Sequence, residues 1–401
     1  MASFSQKLQT LTQLKQRQLH QLAASLGVAC SGTKGRILDS IQEGFGPLPA
    51  KAGHLLRSQL SVVSVDLGVQ HLAYACLVIP HQTSPISKSP PLGKTEEFRP
   101  SHNTSAIASK PAVPSLYAWE RFSVADLVRK HEEEKRHQMG EDEAGVMDKP
   151  LHTPSQYSLA AYQFIASILH KHNPTHVILE QQRFRSGGRA AVAEWTLRVG
   201  VFEGILHAVL RTLREEHEKR AKRRSECQSV MDLQEVVSID PARSTRFWLE
   251  GRQTEKYDSI LSQRLIKRAG KQAKIDIAAR SLVDPTALQL VHVGTEEARA
   301  MRDAFIHKWR NSSKAGRAHR STSELRPREG KGKQHFQPGA GEEVCNDTKF
   351  SFLTKLDDLA DCLLQAVAWL EWQRAKETLY HDLATNNTAD AIAAIRTRLA
   401  G

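Results

Sequence analysis

The sequence predicts an α/β fold, a mixed five-stranded sheet flanked by helices, with a small helical module in front and long insertions within. Three observations carry this. A β-branched run at residues 61–65 ends in Asp66, and short, mostly apolar runs of this kind form central strands. Strand-like and helix-like segments then follow in the order three strands, helix, strand, helix, strand. Near the end, an apolar helix over residues 353–376 carries Asp357, Asp358 and Asp361 in its first turns.

The module comes first. Residues 10–45 place Leu11, Leu14, Leu19, Leu22 and Leu26 on one helical face, and Gly27 ends that helix. Ser31, Gly32, Thr33 and Lys34 make a turn that caps a second helix holding Ile37, Leu38 and Ile41. After Asp66, Gly68 allows a tight turn into a second strand over residues 70–79, and residues 116–122 make a third. A helix over residues 155–172 buries Leu159, Tyr162, Ile165, Ala166 and Leu169 and ends at Asn173-Pro174. A fourth strand at residues 176–179 runs straight into Glu180. A long helix over residues 194–216 turns Trp195, Leu197, Val201, Phe202, Ile205, Val209 and Leu213 inward. A fifth strand at residues 235–239 precedes a short helix with Phe247, Trp248 and Leu249. Residues 253–300 read as mostly helical and carry Lys267, Arg268, Lys271 and Lys274.

Domain boundaries follow: a helical module at 10–45, a main domain at 58–380 and a C-terminal helix at 381–401. Insertions at about 80–115, 130–152, 218–234 and 310–346 are charged or rich in Pro, Ser, Gly and Lys, and lack periodicity.

The 401 residues carry a net charge of +12, which favours a polyanionic partner, most often nucleic acid. Five scattered cysteines include no C-x-x-C pair, which argues against a zinc module or disulfide framework. No apolar run reaches the length of a membrane span, and no secretory signal is present. No acid precedes Asp39, whereas Lys7, Lys15, Arg17, Lys34 and Arg36 do. That make-up is also the one expected of a mitochondrial presequence, which would overlap the helical module.

Chemistry concentrates in the carboxylates. A strand-end aspartate can simply cap the next turn. Two strand-end acids, Asp66 and Glu180, together with a helical cluster are instead a cradle for hard divalent cations. Helical spacing puts Asp361 on one face with both Asp357 and Asp358. Like charges gathered this way repel unless cations neutralise them, which points to Mg²⁺. Directly after Glu180, the stretch 181–189 carries Arg183, Arg185 and Arg189 among glycines and Phe184, composition suited to a phosphate-backbone groove.

The element order and four motifs resemble a known family. These are Ser-Val-Asp-Leu-Gly-Val at 64–69, Leu-Glu-Gln-Gln-Arg-Phe-Arg-Ser at 179–186, Glu-Trp-Thr-Leu-Arg-Val at 194–199 and Asp-Asp-Leu-Ala-Asp-Cys-Leu-Leu-Gln at 357–365. Together they resemble the fungal mitochondrial Holliday junction resolvases, relatives of bacterial RuvC with a ribonuclease H-like fold. The likeness covers residues 10–80, 116–129, 155–250 and 350–376. Residues 10–45 also resemble SAP-type modules, which bind DNA; Lys15, Arg17, Lys34 and Arg36 would meet phosphates there. The resemblance implies a homodimeric endonuclease of the mitochondrial matrix that resolves four-way DNA junctions. It would use two Mg²⁺ per active site, with Mn²⁺ able to substitute. Asp66, Glu180 and Asp361 match the family's catalytic acids. Family spacing points to Asp358 as the fourth, while i, i+4 pairing would choose Asp357. Rival readings are an inactive relative that binds structured RNA in splicing, another ribonuclease H-like nuclease, and an architectural DNA-binding protein.

Overall fold

β1 (Leu60–Leu67) lies at the centre of a six-stranded sheet in the computed structural model, which describes residues 4–45, 59–79, 112–139, 153–182, 194–223, 233–250, 263–283, 289–312, 353 and 355–400. The other strands are β2 (His71–Ile79), β3 (Ser115–Ser123), β4 (His176–Glu180), β5 (Glu235–Ile239) and β6 (His292–Val293), in the order β5-β4-β1-β2-β3-β6. β1, β2 and β3 are antiparallel neighbours, and β4 and β5 run parallel to β1. The first five strands have the order of the ribonuclease H-like fold. The sixth departs from the five-stranded expectation. It is two residues long, too short to show periodicity, and backbone bonds such as Gly294 N–H to the Leu116 carbonyl hold it against β3.

Alternation along each strand sorts the core into two layers. Val63, Val65, Leu67, Val177 and Leu179 face α5 (Pro154–His172) and α6 (Glu194–Arg223), with α4 (Val124–Met139) beside them. Leu60, Val62, Ala73, Ala75 and Ile178 face the opposite layer. At its centre is α10 (Asp357–Thr385), enclosed by α7 (Pro241–Glu250), α8 (Gln263–Val283) and α9 (Glu296–Ser312). Over residues 359–372 this 29-residue helix is buried on almost every side and apolar apart from Asp361, Gln365 and Glu371, which is how a central helix reads.

The helices run further than expected. α4 continues to Met139 and α6 to Arg223, into segments expected as insertions, and α10 passes the expected end of its helix. α6 also shows a different inward face. Phe202, Leu206 and Leu210 are buried, whereas Trp195, Leu197 and Val201 are each about half exposed, as is Tyr162 on α5. The expected DNA-contacting residues Arg183, Arg185 and Arg189 lie outside the described residues.

The N-terminal helices are α1 (Phe4–Gln9), α2 (Gln16–Ser25) and α3 (Lys34–Phe45), with a 3₁₀ turn at Thr10–Gln13; Leu11 and Leu14, expected on the first helix, precede α2 instead. Gly27 ends α2 at φ +68°, a conformation open to glycine, and any side chain there would strike the Trp372 ring. Their core is not private. Leu11, Leu19, Leu22, Ile37 and Ile41 pack with Leu379 and Leu383 of α10 and with Ile392 and Ile395 of α11 (Thr388–Ala400). The C-terminal helices thus belong to the same small core as the N-terminal module.

One buried histidine predicts a pH response. His176 starts β4 with its side chain 3% exposed and its ring 5.0 Å from that of Trp369. Burial lowers its pKa to about 4. The unfolded chain therefore binds the proton first, and stability falls as pH drops from about 6.5 towards 4. The expected slope is up to roughly 1.4 kcal/mol per pH unit from this residue. Thermal melts between pH 7 and 4.5 should show it, with a shallower dependence for His176→Gln; identical slopes would refute the assignment.

Candidate active site

The site begins with register. Thr175 and Ser61 tie β4 to β1: Ser61 N–H donates to Thr175 Oγ1 at 3.1 Å, and Thr175 N–H to the Ser61 carbonyl at 2.8 Å. The parallel pairing then runs from Val62 opposite His176 to Val65 opposite Leu179. One step further brings Asp66 beside Glu180. On the other side Asp66 pairs with Ala73, and Ala73 with Arg121 of β3. Period-two alternation from Val62, Ile178 and Trp119 places Asp66, Glu180 and Arg121 on the face covered by α10.

α10 brings the helical acids to the same place. Its first turns are fixed by Trp119, whose indole N–H donates to the Leu359 carbonyl at 2.9 Å. Asp66 is hydrogen-bonded to Glu180 and lies within electrostatic reach of Asp358 and Asp361. Burial first, then the Glu180 hydrogen bond and charge, push the Asp66 carboxyl well above the usual carboxylate range. Asp361 is likewise raised, by burial and by the charges of Glu180 and Asp357, against the opposing pull of Lys274. Burial, then the charge of Asp66, also raises the Cys362 thiol.

Each late-helix acid faces a cation. Asp357 lies 2.8 Å from Lys271 Nζ and Asp361 2.5 Å from Lys274 Nζ, both lysines on α8. Asp358 is 2.8 Å from Arg121 Nε, a side chain only 3% exposed. Asp357 ends below the usual range because the Lys271 hydrogen bond and charge outweigh its burial. Asp66, Glu180, Asp358 and Asp361 therefore gather at one end of α10, where Asp357 and Asp361 both reach lysines of α8.

Sequence reasoning missed Arg121, although a lone arginine in a strand otherwise built from Leu116, Trp119 and Phe122 was a signal. It named Lys271 and Lys274 as basic residues without placing them here. An open cleft of about 750 Å³ continues from Arg121 along His71, Ser123, Arg129 and Lys130. Burial, then the Arg121 charge, lowers the pKa of His71 at its edge.

The acids supply only carboxylate oxygens, the donor set of hard divalent cations. Their mutual repulsion is what such a cation would relieve. Among the described residues, no three Asp, Glu, His or Cys side chains are set in metal-holding geometry, and three of the acids are each paired with a cation. The residues fit the metal by the chemistry of their donors and by their shared end of α10.

The module's basic residues lie elsewhere. Lys15, Arg17 and Arg36 are exposed, and Lys34 Nζ donates to the Thr12 carbonyl at 2.5 Å. They sit on helices that pack against the far half of α10, and the structure does not bring them to the acids. No helix among the described residues is long and apolar enough to cross a membrane.

The chain is similar to known proteins. The mitochondrial cruciform cutting endonuclease 1 of Schizosaccharomyces pombe is 23% identical over 220 residues, which cover 55% of this chain and 59% of that protein. The chain thus spans less than two thirds of that relative's length. A crystal structure of the yeast mitochondrial Holliday junction resolvase Ydc2 superposes with a TM-score of 0.44 at 18% identity, covering 92% of this chain and 98% of that one. Thermus thermophilus RuvC superposes with a TM-score of 0.26 at 12% identity, covering 66% and 98%. The model of the family described as mitochondrial resolvase Ydc2 / RNA splicing MRS1 matches residues 62–379. That span takes in all of the sheet but the first two residues of β1, and every gathered acid, and the chain belongs to this family.

Proposed function

We propose that the protein is a divalent-metal-dependent endonuclease of mitochondria that resolves four-way DNA junctions. The observation that carries the proposal is the meeting of Asp66, Glu180, Asp358 and Asp361 at one end of α10, from three segments far apart in the chain. Family membership and the mitochondrial cruciform-cutting relative support the substrate class. The net charge of +12 supports a polyanion.

Asp66, Glu180, Asp358 and Asp361 would hold Mg²⁺, two ions per site, with Mn²⁺ an acceptable substitute. Asp357, paired with Lys271 as Asp361 is with Lys274, is a further candidate ligand. Bound cations supply neutralisation of the phosphoryl oxygens and a lowered pKa for the attacking water. The chain's part is positional. Cation binding at Asp66 would relieve the burial and the neighbouring Glu180 charge that hold its carboxyl above the usual range. Arg121 holds Asp358 in place, and the cleft beside it, where Lys130 and Arg129 stand with Asp126 and Glu133, would receive the phosphate backbone. Hydrolysis in this arrangement leaves a 5′ phosphate and a 3′ hydroxyl. Lys15, Arg17, Lys34 and Arg36 on the module, with Arg183, Arg185 and Arg189 after β4, would bind further phosphates.

The test compares a four-way junction, a linear duplex and an RNA–DNA hybrid at equal Mg²⁺. Preferential cutting of the junction is expected. A cut hybrid beside an intact junction would overturn the proposal, as would binding of structured RNA with no cutting of any substrate.

A junction with two-fold symmetry calls for two sites, hence a homodimer. Support comes from α6, where Leu197, Val201, Gly204 and Ala208 form one exposed face at helical spacing. A Cβ added at Gly204 would meet nothing, so another helix could approach closely there. Val201→Asp is expected to convert a dimer to a monomer in sedimentation at micromolar concentration with little change in melting temperature. An unchanged dimer would move the interface elsewhere.

A further inference from the structure

Lys271 and Lys274 are too close to the acids to be a general basic surface. They sit three apart on α8 and pair with Asp357 and Asp361, four apart on α10, so two adjacent turns of one helix neutralise two adjacent turns of the other. Arg121 neutralises Asp358 in the same way. The three cations differ in how firmly they are held. Arg121 is strand-borne, 3% exposed and planar, and it is fixed in place. The lysines have flexible four-carbon stems, and Lys271 is 63% exposed. Lys274 is 14% exposed and lies against Asp361, one of the acids needed for the cation. A lysine ammonium and a divalent ion cannot occupy the same carboxylate oxygens, because like charges in a partly buried site repel strongly.

We infer that Lys271 and Lys274 are exchange ligands, neutralising Asp357 and Asp361 in the metal-free protein and transferring to the phosphates of the bound strand when divalent cations enter. The inference rests on the metal-site reading proposed above. Before the exchange the lysines spare the protein an uncompensated acid cluster. Afterwards they add two phosphate contacts beside the scissile strand. Metal and DNA then favour each other reciprocally, because each takes over one partner of an ion pair that must otherwise be broken.

The experiment uses the full chain, with Lys271→Met, Lys274→Met, the double variant and Lys274→Arg, which keeps the charge. Mn²⁺ binding without DNA is measured by calorimetry or by its spin-resonance signal. Lys274→Met is expected to bind Mn²⁺ about 10-fold more tightly than wild type, since no ion pair has to break. Lys274→Arg should stay near wild type. Junction affinity is then measured against salt, with and without Ca²⁺, the strands being checked afterwards as intact. Each lysine–phosphate contact contributes about one to the salt slope. The double variant should therefore lose about two from the slope in Ca²⁺ and almost nothing without it.

Unchanged or weaker Mn²⁺ binding by Lys274→Met would overturn the exchange. Equal slope losses with and without Ca²⁺ would also overturn it, leaving the lysines as ordinary phosphate ligands. If wild type itself bound no Mn²⁺, the metal-site reading would fall first and the exchange with it.

Discussion

Asp66→Asn is expected to lower junction cleavage by at least about 10³-fold, the scale of losing a carboxylate that holds the catalytic cations. The same substitution is expected to raise the melting temperature of the metal-free protein. Burial and the neighbouring Glu180, Asp361 and Asp358 all push the Asp66 carboxyl upward. A folded-state pKa above the unfolded one means that ionised Asp66 opposes folding at neutral pH. A neutral isostere removes that opposition, with a gain of roughly 2–4 °C for each kcal/mol relieved. Cleavage assays and thermal melts on one preparation check both halves. Loss of cleavage with a lower melting temperature would mean that Asn merely damages the fold. Retained cleavage would remove Asp66 from the site.

Trp119→Ala is the second large effect, on stability. Trp119 is 1% exposed, its ring centroid lies 4.7 Å from that of Phe305, and its N–H holds the Leu359 carbonyl between Asp358 and Asp361. Truncation should cost about 3–5 kcal/mol through lost burial and the cavity left behind. Trp119→Phe keeps most of the apolar volume and should cost on the order of 1 kcal/mol, the value of the hydrogen bond. Urea denaturation separates the two. Equal costs would show that the indole N–H does not anchor α10.

Both predictions depend on what residue types reveal without coordinates. The first five strands were legible because β-branched runs and period-two alternation are local: Val62, Val63 and Val65 announce β1, and the acids at the ends of β1 and β4 follow directly. α2, α5 and α10 were legible through spacing and through terminators such as Gly27 and Asn173, the latter at φ 39°. The inward face of α6 was not. Trp195, Leu197 and Val201 continue the apolar pattern of Phe202 and Leu206, and only packing against α5 shows which residues turn in. The ion pairs were also illegible. Arg121 meets Asp358 across 237 positions and Lys271 meets Asp357 across 86, distances at which no local periodicity operates. Nor could spacing choose between Asp357 and Asp358. Their different partners, Lys271 and Arg121, separate them only in three dimensions.

α10 is a single uninterrupted helix of 29 residues, roughly 43 Å long at about 1.5 Å per residue. Its first turns hold the acids, and its last turns are built into the core of the N-terminal hairpin. The rod therefore works as a caliper with a fixed azimuth. Adding or removing one residue midway would swing the hairpin by about 100° around the axis relative to the acids. Whatever surface the hairpin presents, its bearing on the carboxylates is written into the residue count of one helix.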